Sequence, residues 1–244
     1  VVSAMGQMFY SLSIAMGILI TFGSYMKKET SLEDSTRNVE VFDTAIAIMA
    51  GLMIIPAVFV FSGTDGMGAG PSLMFVSLPK VFDAMGPAGT VVGVLFFISA
   101  IFATLTSCIS VLESIVANCM EIFHTDRKKT TLVLALIYLA ASAVIALGYS
   151  VFYFNVTLPN GSSAQLLDIM DYVSNSVMMP LIALLSTILI GWVKSPKYVA
   201  DEMERGGYKF RRKRMYYVMI RYVAPVMMLV LFLQSTGLLS MIFK

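Results

Sequence analysis

The sequence predicts an all-α membrane protein, and three observations carry that prediction. The 244 residues are 58% hydrophobic and only 13% charged, with a mean hydropathy of +0.82. Soluble domains are about one quarter charged. Six apolar runs, at 7–26 and roughly 41–62, 92–120, 131–152, 165–193 and 215–243, each reach the ~20 residues that a membrane helix needs. The runs are continuous rather than alternating, so neither a sheet nor a barrel is expected.

The basic residues orient these spans. Segments 27–42, 121–131 and 194–214 hold 3, 3 and 8 of the 17 Lys and Arg, whereas 63–91 holds only Lys80 and 151–166 holds none. The first three segments therefore face the cytoplasm. The first span runs from outside to inside, and the C-terminus lies outside. The net charge of +2 expresses this topology and gives no footprint for nucleic acid. KFRRKR (209–214) reads as a cytoplasmic anchor, with anionic lipid as a second possible partner.

In the first run, QMFYSLSIAMGILITFGSYM (7–26), Gln7, Ser11, Ser13, Gly17, Thr21 and Ser24 interrupt the apolar sequence. Ser11 and Ser13 are two residues apart, and on an intact helix they point about 200° apart. Unwinding between Ser13 and Gly17 would bring both to one side and free backbone carbonyls, as broken helices do in transporters. For Thr21 or Ser24 alone, a bond back to a carbonyl one turn away suffices.

The second run opens with Asp43 in VFDTAIAIMAG. Segment 63–91 is long for a connection. Its LMFVSLPKVFDAM stretch suits a short external helix, acting either as a lid or as an ordinary loop. In the third run Ala103, Thr106, Ser107, Ser110, Val111 and Ser114 share one small, polar helix face. Spacing favours close helix packing. The alternative is a three-oxygen site for a hard cation, from two hydroxyls and a carbonyl. Glu113, deep in the same run, must face protein or be protonated, since a charge there costs about 2.5–3.5 kcal/mol.

The remaining features carry less chemistry. Asp168 and Asp171 open the fifth run on the outer side, where Asp168 reads as a solvated interfacial charge. Cys108 and Cys119 would lie about 16 Å apart on one helix, too far for a disulfide. The single His124 has no second His or thiolate nearby, so a transition-metal site is not expected. The tripeptides at 155–157 and 160–162 fit the glycosylation pattern, which is frequent by chance. Residue 1 is Val, the first run has almost no flank and no signal peptide is visible. The chain thus reads as an N-terminally incomplete piece of something larger.

Four stretches together resemble the neurotransmitter:sodium symporters, in their prokaryotic branch. QMFYSLSIAMGILITFGSYM resembles the broken sixth helix of that family, AGLMIIPAVFVF the seventh, GPSLMFVSLPKVF the fourth external loop and FATLTSCISVLES the eighth helix. The resemblance covers essentially the whole chain, as helices six to eleven. It implies the second half of a five-plus-five inverted-repeat, leucine-transporter-like fold plus one extra helix. Residues 1–193 would form the second repeat with its external loop 63–91, 194–214 a basic cytoplasmic loop and 215–244 the additional helix. Helices one to five, which would supply half of each binding site, are not in this sequence.

By motif position, the resemblance implies that Tyr10 covers an amino-acid substrate and that Ser11 and Ser13 bond it. Met16 and Val111 shape its side-chain pocket, and Ser107 also faces it. Sodium would take Ser11 and Asp43 at one site, and the Ala103 carbonyl, Thr106 and Ser107 at the other, each site being only partly supplied here. Gln7 and Asp171 match an external gate, and Tyr25 and Glu121 an internal one. Chloride-dependent members place a Ser one turn beyond the sodium ligand; here that position is Ala47, while Asp43 is itself acidic. Transport is therefore expected to be independent of chloride. The break reads Ala15-Met16-Gly17 where many members begin with Gly, and an apolar or small amino acid is expected.

The implied activity is sodium-coupled amino-acid uptake by alternating access across the plasma (inner) membrane, in lipid and without enzymatic chemistry. Two other readings compete. An intramembrane aspartyl protease could use Asp43 with Asp171, but topology puts these on opposite sides and Gly-x-Gly-Asp is absent. A structural or regulatory half-protein would not transport at all. Asp43 is awkward for the sodium role unless its helix begins earlier, near 33–42.

Overall fold

The computed structural model describes residues 2–27, 29–63, 73–159, 163–205 and 207–238. Five described helices are long and apolar enough to cross a membrane. They are α3 (Leu32–Ser62), α5 (Pro87–Phe123), α6 (Arg127–Leu147), α7 (Leu166–Val193) and α9 (Lys213–Ser235). The first apolar run, 7–26, is a broken pair, α1 (Val2–Ser11) and α2 (Ile18–Ser24), as its polar interruptions predict. Two short helices complete the set, α4 (Leu78–Ala84) and α8 (Lys197–Met203).

Helix starts follow capping chemistry more than hydropathy. The apolar run near residue 41 places the start of α3 too late, because the helix begins at Leu32. Ser31 Oγ accepts the Asp34 N–H at 3.3 Å, and Glu33 and Asp34 in the first turn complement the helix dipole. Asp43 thus sits three turns inside a helix rather than at its mouth. In the same way Pro87 starts α5 and Asp126 stands at the N-cap of α6. The last span ends at Ser235, where Gly237 turns with φ 77°; residues 239–244 lie outside the described residues.

The external segment contains a helix, as its apolar stretch suggests. A π-helical turn at Leu73–Ser77 runs into α4, while 64–72 lies outside the described residues. One departure from an all-helical chain is a pair of two-residue strands, β1 (Val156–Thr157) and β2 (Ser163–Ala164), antiparallel with Val156 opposite Ala164.

The chain divides into two compact units. One comprises residues 1–35 and 111–244, and its core joins Ala183 of α7 to Met228 and Leu231 of α9, with Phe9 and Ala15 packed against them. Backbones approach closely here. A Cβ added at Gly191 would lie 2.9 Å from the Ile220 carbonyl oxygen, where π-helical segments Leu189–Val193 and Met219–Val223 face each other. The other unit, residues 36–110, packs Val58 of α3 with Leu78 and Val81 of α4.

Candidate functional site

The break between α1 and α2 is the most unusual backbone in the chain. Ser13, Ala15 and Gly17 all take positive φ, at 53°, 66° and 79°. Left-handed conformations cost an L-residue roughly 1–2 kcal/mol each, so two of them together mark a site held by its surroundings. The last turns before the break carry mixed bonds, Ser13 N–H to the Tyr10 carbonyl and Ile14 N–H to the Phe9 carbonyl. Beyond Gly17 the regular pattern resumes with Thr21 N–H to the Gly17 carbonyl at 3.0 Å.

Which side of α1 faces open space follows from its packing. Phe9 packs on the Met228–Leu231 cluster, and a Cβ at Gly6 would meet Leu231 at 3.9 Å. The face at i, i+3 and i+4 comprises Gln7, Tyr10 and Ser11, and all three are exposed. Ser13 and Met16 follow in the break, half-buried.

Beyond the break, two side-chain bonds tie α2 to α5. Thr21 and Ser114, buried to 7% and 2% exposure, bring their hydroxyls within 3.2 Å. One helical turn further, Tyr25 Oη donates to Glu113 Oε1 at 2.7 Å. Arg127 Nη2 donates to Glu113 Oε2 at 2.7 Å, so both oxygens of the carboxylate are paired. Ser24 bonds back to the Thr21 carbonyl, so its local role is satisfied within the helix.

Along α5, Thr106 Oγ1 donates to the Ala103 carbonyl at 2.8 Å and Ser107 Oγ to the same carbonyl at 3.2 Å. Both are back-bonds of the kind that Thr104 makes to the Ala100 carbonyl, and the turn that carries these three oxygens is exposed. Ser110 bonds to the Thr106 carbonyl, and Val111 is half-buried in the next turn. Asp43 is half-buried on α3 and Ala47, one turn on, is exposed. Asp43, Ala103, Thr106 and Ser107 belong to the 36–110 unit; Gln7, Tyr10, Ser11, Ser13, Met16, Tyr25, Val111, Glu121 and Asp171 belong to the other.

The whole chain can now be placed. Residues 1–241 match the Sodium:neurotransmitter symporter family. This chain belongs to that family. It is 30% identical over 240 residues to a sodium-dependent transporter of Bacillus subtilis, YhdH, covering 97% of this chain and 51% of the relative. A sodium-dependent transporter of Haemophilus influenzae is 32% identical over 232 residues, covering 95% and 49%. The crystal structure of MhsT in complex with L-phenylalanine superposes with a TM-score of 0.84 at 34% identity, over 96% of this chain and 51% of that one. The chain thus spans about half the length of the relatives it matches. These relatives are transporters, not enzymes, which removes the aspartyl-protease reading; the protein is a multi-pass membrane protein of leucine-transporter-like fold.

Within the symporter chain the remaining assigned residues sit as follows. Asp171 is exposed and accepts a bond from Asn175 Nδ2. Asp168 Oδ2 accepts the Gln165 N–H at 2.9 Å and caps α7. Tyr25 finds Glu113, whereas Glu121 is exposed eight residues further along α5. Arg127 and the Thr21–Ser114 pair escaped the sequence reading. Glu113 carried the one usable signal, a charge at depth that required a partner.

Proposed function

We propose that this chain forms the second-repeat half of a sodium-coupled amino-acid symporter that works by alternating access in the plasma membrane. The observation that carries the reading is the broken first helix, with Tyr10, Ser11, Ser13 and Met16 gathered at a left-handed break. MhsT, solved with L-phenylalanine, supports an amino acid as cargo. In this reading residues 1–193 are the repeat, 194–214 the basic inner loop and 215–244 the extra helix.

Ser11 and Ser13 hold the substrate's polar end, and Met16 with Val111 lines its side chain, which favours an apolar amino acid because a thioether re-packs around varied shapes. Tyr10 covers it, and Ser107 reaches it from α5. One sodium ion takes Ser11 and Asp43, and a second the Ala103 carbonyl, Thr106 and Ser107. Each site is completed by helices one to five. Asp43 supplies both a ligand and the compensating negative charge that Ala47 cannot recruit as chloride, so transport runs without chloride.

Coupling then follows from differential binding. Sodium favours the outward-facing state, and the bound substrate closes the outer gate at Gln7 and Asp171. Release inward requires parting the inner contacts, where Tyr25, Glu113 and Glu121 belong. Each charge moved across 100 mV contributes about 2.3 kcal/mol, enough to drive uphill uptake.

The test is uptake of a labelled amino-acid pool into proteoliposomes, by this chain alone and with helices one to five supplied. Uptake that needs an inward sodium gradient, and only in the completed protein, is expected. Two folded but inactive preparations would return the chain to a structural or regulatory role.

A further inference from the structure

The basic segment before α9 is more organised than a solvated charge run. Residues 194–214 carry eight Lys and Arg against Asp201, Glu202 and Glu204. Some of that charge is matched locally: Glu204 binds Lys213 at 2.9 Å, and Glu202 binds Arg205 at 2.8 Å. Lys209, Arg211 and Arg214 are exposed and take part in no ion pair among the described residues.

The backbone beneath these cations is anchored at a distance in sequence. Glu33, in the first turn of α3, accepts the Arg211 N–H through Oε2 at 2.8 Å and the Arg212 N–H through Oε1 at 3.3 Å. Tyr208 Oη donates to the Glu29 carbonyl. The carboxylate is spent on main-chain donors, so it holds the segment in place while the side chains of Arg211 and Arg214 stay exposed. Five cations from Lys209 to Arg214 stand against Glu33 and Glu204. Lys213 and Arg214 open a membrane span, and the other three immediately precede it.

We propose that this clamp is a binding site for the headgroup of an anionic phospholipid of the cytoplasmic leaflet. Lys209, Arg211 and Arg214 engage the phosphate, Arg through paired N–H donors. The acyl chains run down the exposed side of α9 past Val218 and Tyr222. Charge complementarity selects the partner, the span places it at headgroup depth, and the Glu33 anchor lowers the ordering cost that a loose basic loop would face.

The chain contains a single tryptophan, Trp192, which reports on this place. Its Nε1 donates to the Arg221 carbonyl at 3.1 Å, and the Arg221 guanidinium lies 5.5 Å from its ring centroid. Arg221 follows Arg214 by seven residues, about 10 Å along α9. Quenching of Trp192 by brominated phosphatidylglycerol in phosphatidylcholine, and by brominated phosphatidylcholine in phosphatidylglycerol, gives the relative lipid affinity beside it.

Phosphatidylglycerol is expected to be preferred several-fold at about 0.1 M salt. R211Q/R214Q should bring that preference close to parity, and K128Q/K129Q, on another exposed basic segment, should leave it unchanged. Equal affinities for the two lipids in the unaltered chain would overturn the proposal. So would an unchanged preference in R211Q/R214Q, or an equal loss in K128Q/K129Q, which would mean diffuse surface attraction only.

Discussion

Tyr25 and Glu113 are 88 residues apart in sequence and 2.7 Å apart in space, the phenol donating to Oε1 while Arg127 holds Oε2. One carboxylate thereby joins the end of the broken helix pair to α5 and to the start of α6. The positive-inside pattern puts this junction on the cytoplasmic side. In the proposed transport cycle this junction would oppose inward opening.

Removing the phenol should weaken inner closure. In the completed transporter, Y25F is expected to lower apparent amino-acid affinity about fivefold, because fewer molecules occupy the binding-competent state. E113Q should act in the same direction, and the double variant should add little to either one. Equilibrium binding of labelled substrate checks this; fully additive losses would show that the two residues act separately.

Gly17 makes a prediction about stability. Its φ of 79° is unfavourable for any L-residue, and an added Cβ would lie 3.2 Å from Ser114 Oγ. G17A should destabilise the chain by about 1–2 kcal/mol. G23A is the matched control, since it lies inside α2 with open space around its Cβ position and should be neutral or slightly stabilising. Thermal unfolding of the purified chain in detergent separates the two.

At Gly191 the prediction concerns packing. G191V drives a side chain towards the Ile220 carbonyl, already 2.9 Å from the Cβ position, and should cost about 1–3 kcal/mol. Its signature is loss of the α7–α9 contact, read as faster hydrogen exchange at both π-helical segments. Unchanged exchange would mean that the two helices yield without strain.

The proposed chloride independence rests on Asp43. Uptake by the completed protein should be unchanged when gluconate replaces chloride. The exchange D43N/A47S should make uptake chloride-dependent, since it removes the fixed charge and adds a hydroxyl one turn away. A chloride requirement in the unaltered protein would contradict the role given to Asp43.

Much of this architecture was legible before coordinates, and the exceptions have physical causes. Ser11, Ser13 and Gly17 inside an apolar run announced the break, because an intact helix would point the two hydroxyls about 200° apart. The start of α3 was misplaced because Ser31, Glu33 and Asp34 are polar, and hydropathy cannot see a capped helix emerging into water. The π-helical segments leave no mark in sequence, since one extra residue per turn barely disturbs the apolar pattern. Spacing alone put Ala103, Thr106 and Ser107 on one face of α5 but favoured helix packing there over a cation site. The partner of Tyr25 was not legible, because the contact depends on how far each helix reaches into the membrane.

Hydroxyls on α5 are proposed to bind the sodium that makes amino-acid binding possible. The most direct test is a sodium titration of labelled apolar amino-acid binding to the completed transporter, unaltered and as T106A/S107A. Binding is expected to require sodium, and half-saturation to move to about tenfold higher sodium, or more, in the variant, given roughly 1.4 kcal/mol per factor of ten. Identical sodium curves for the two proteins would contradict the proposal.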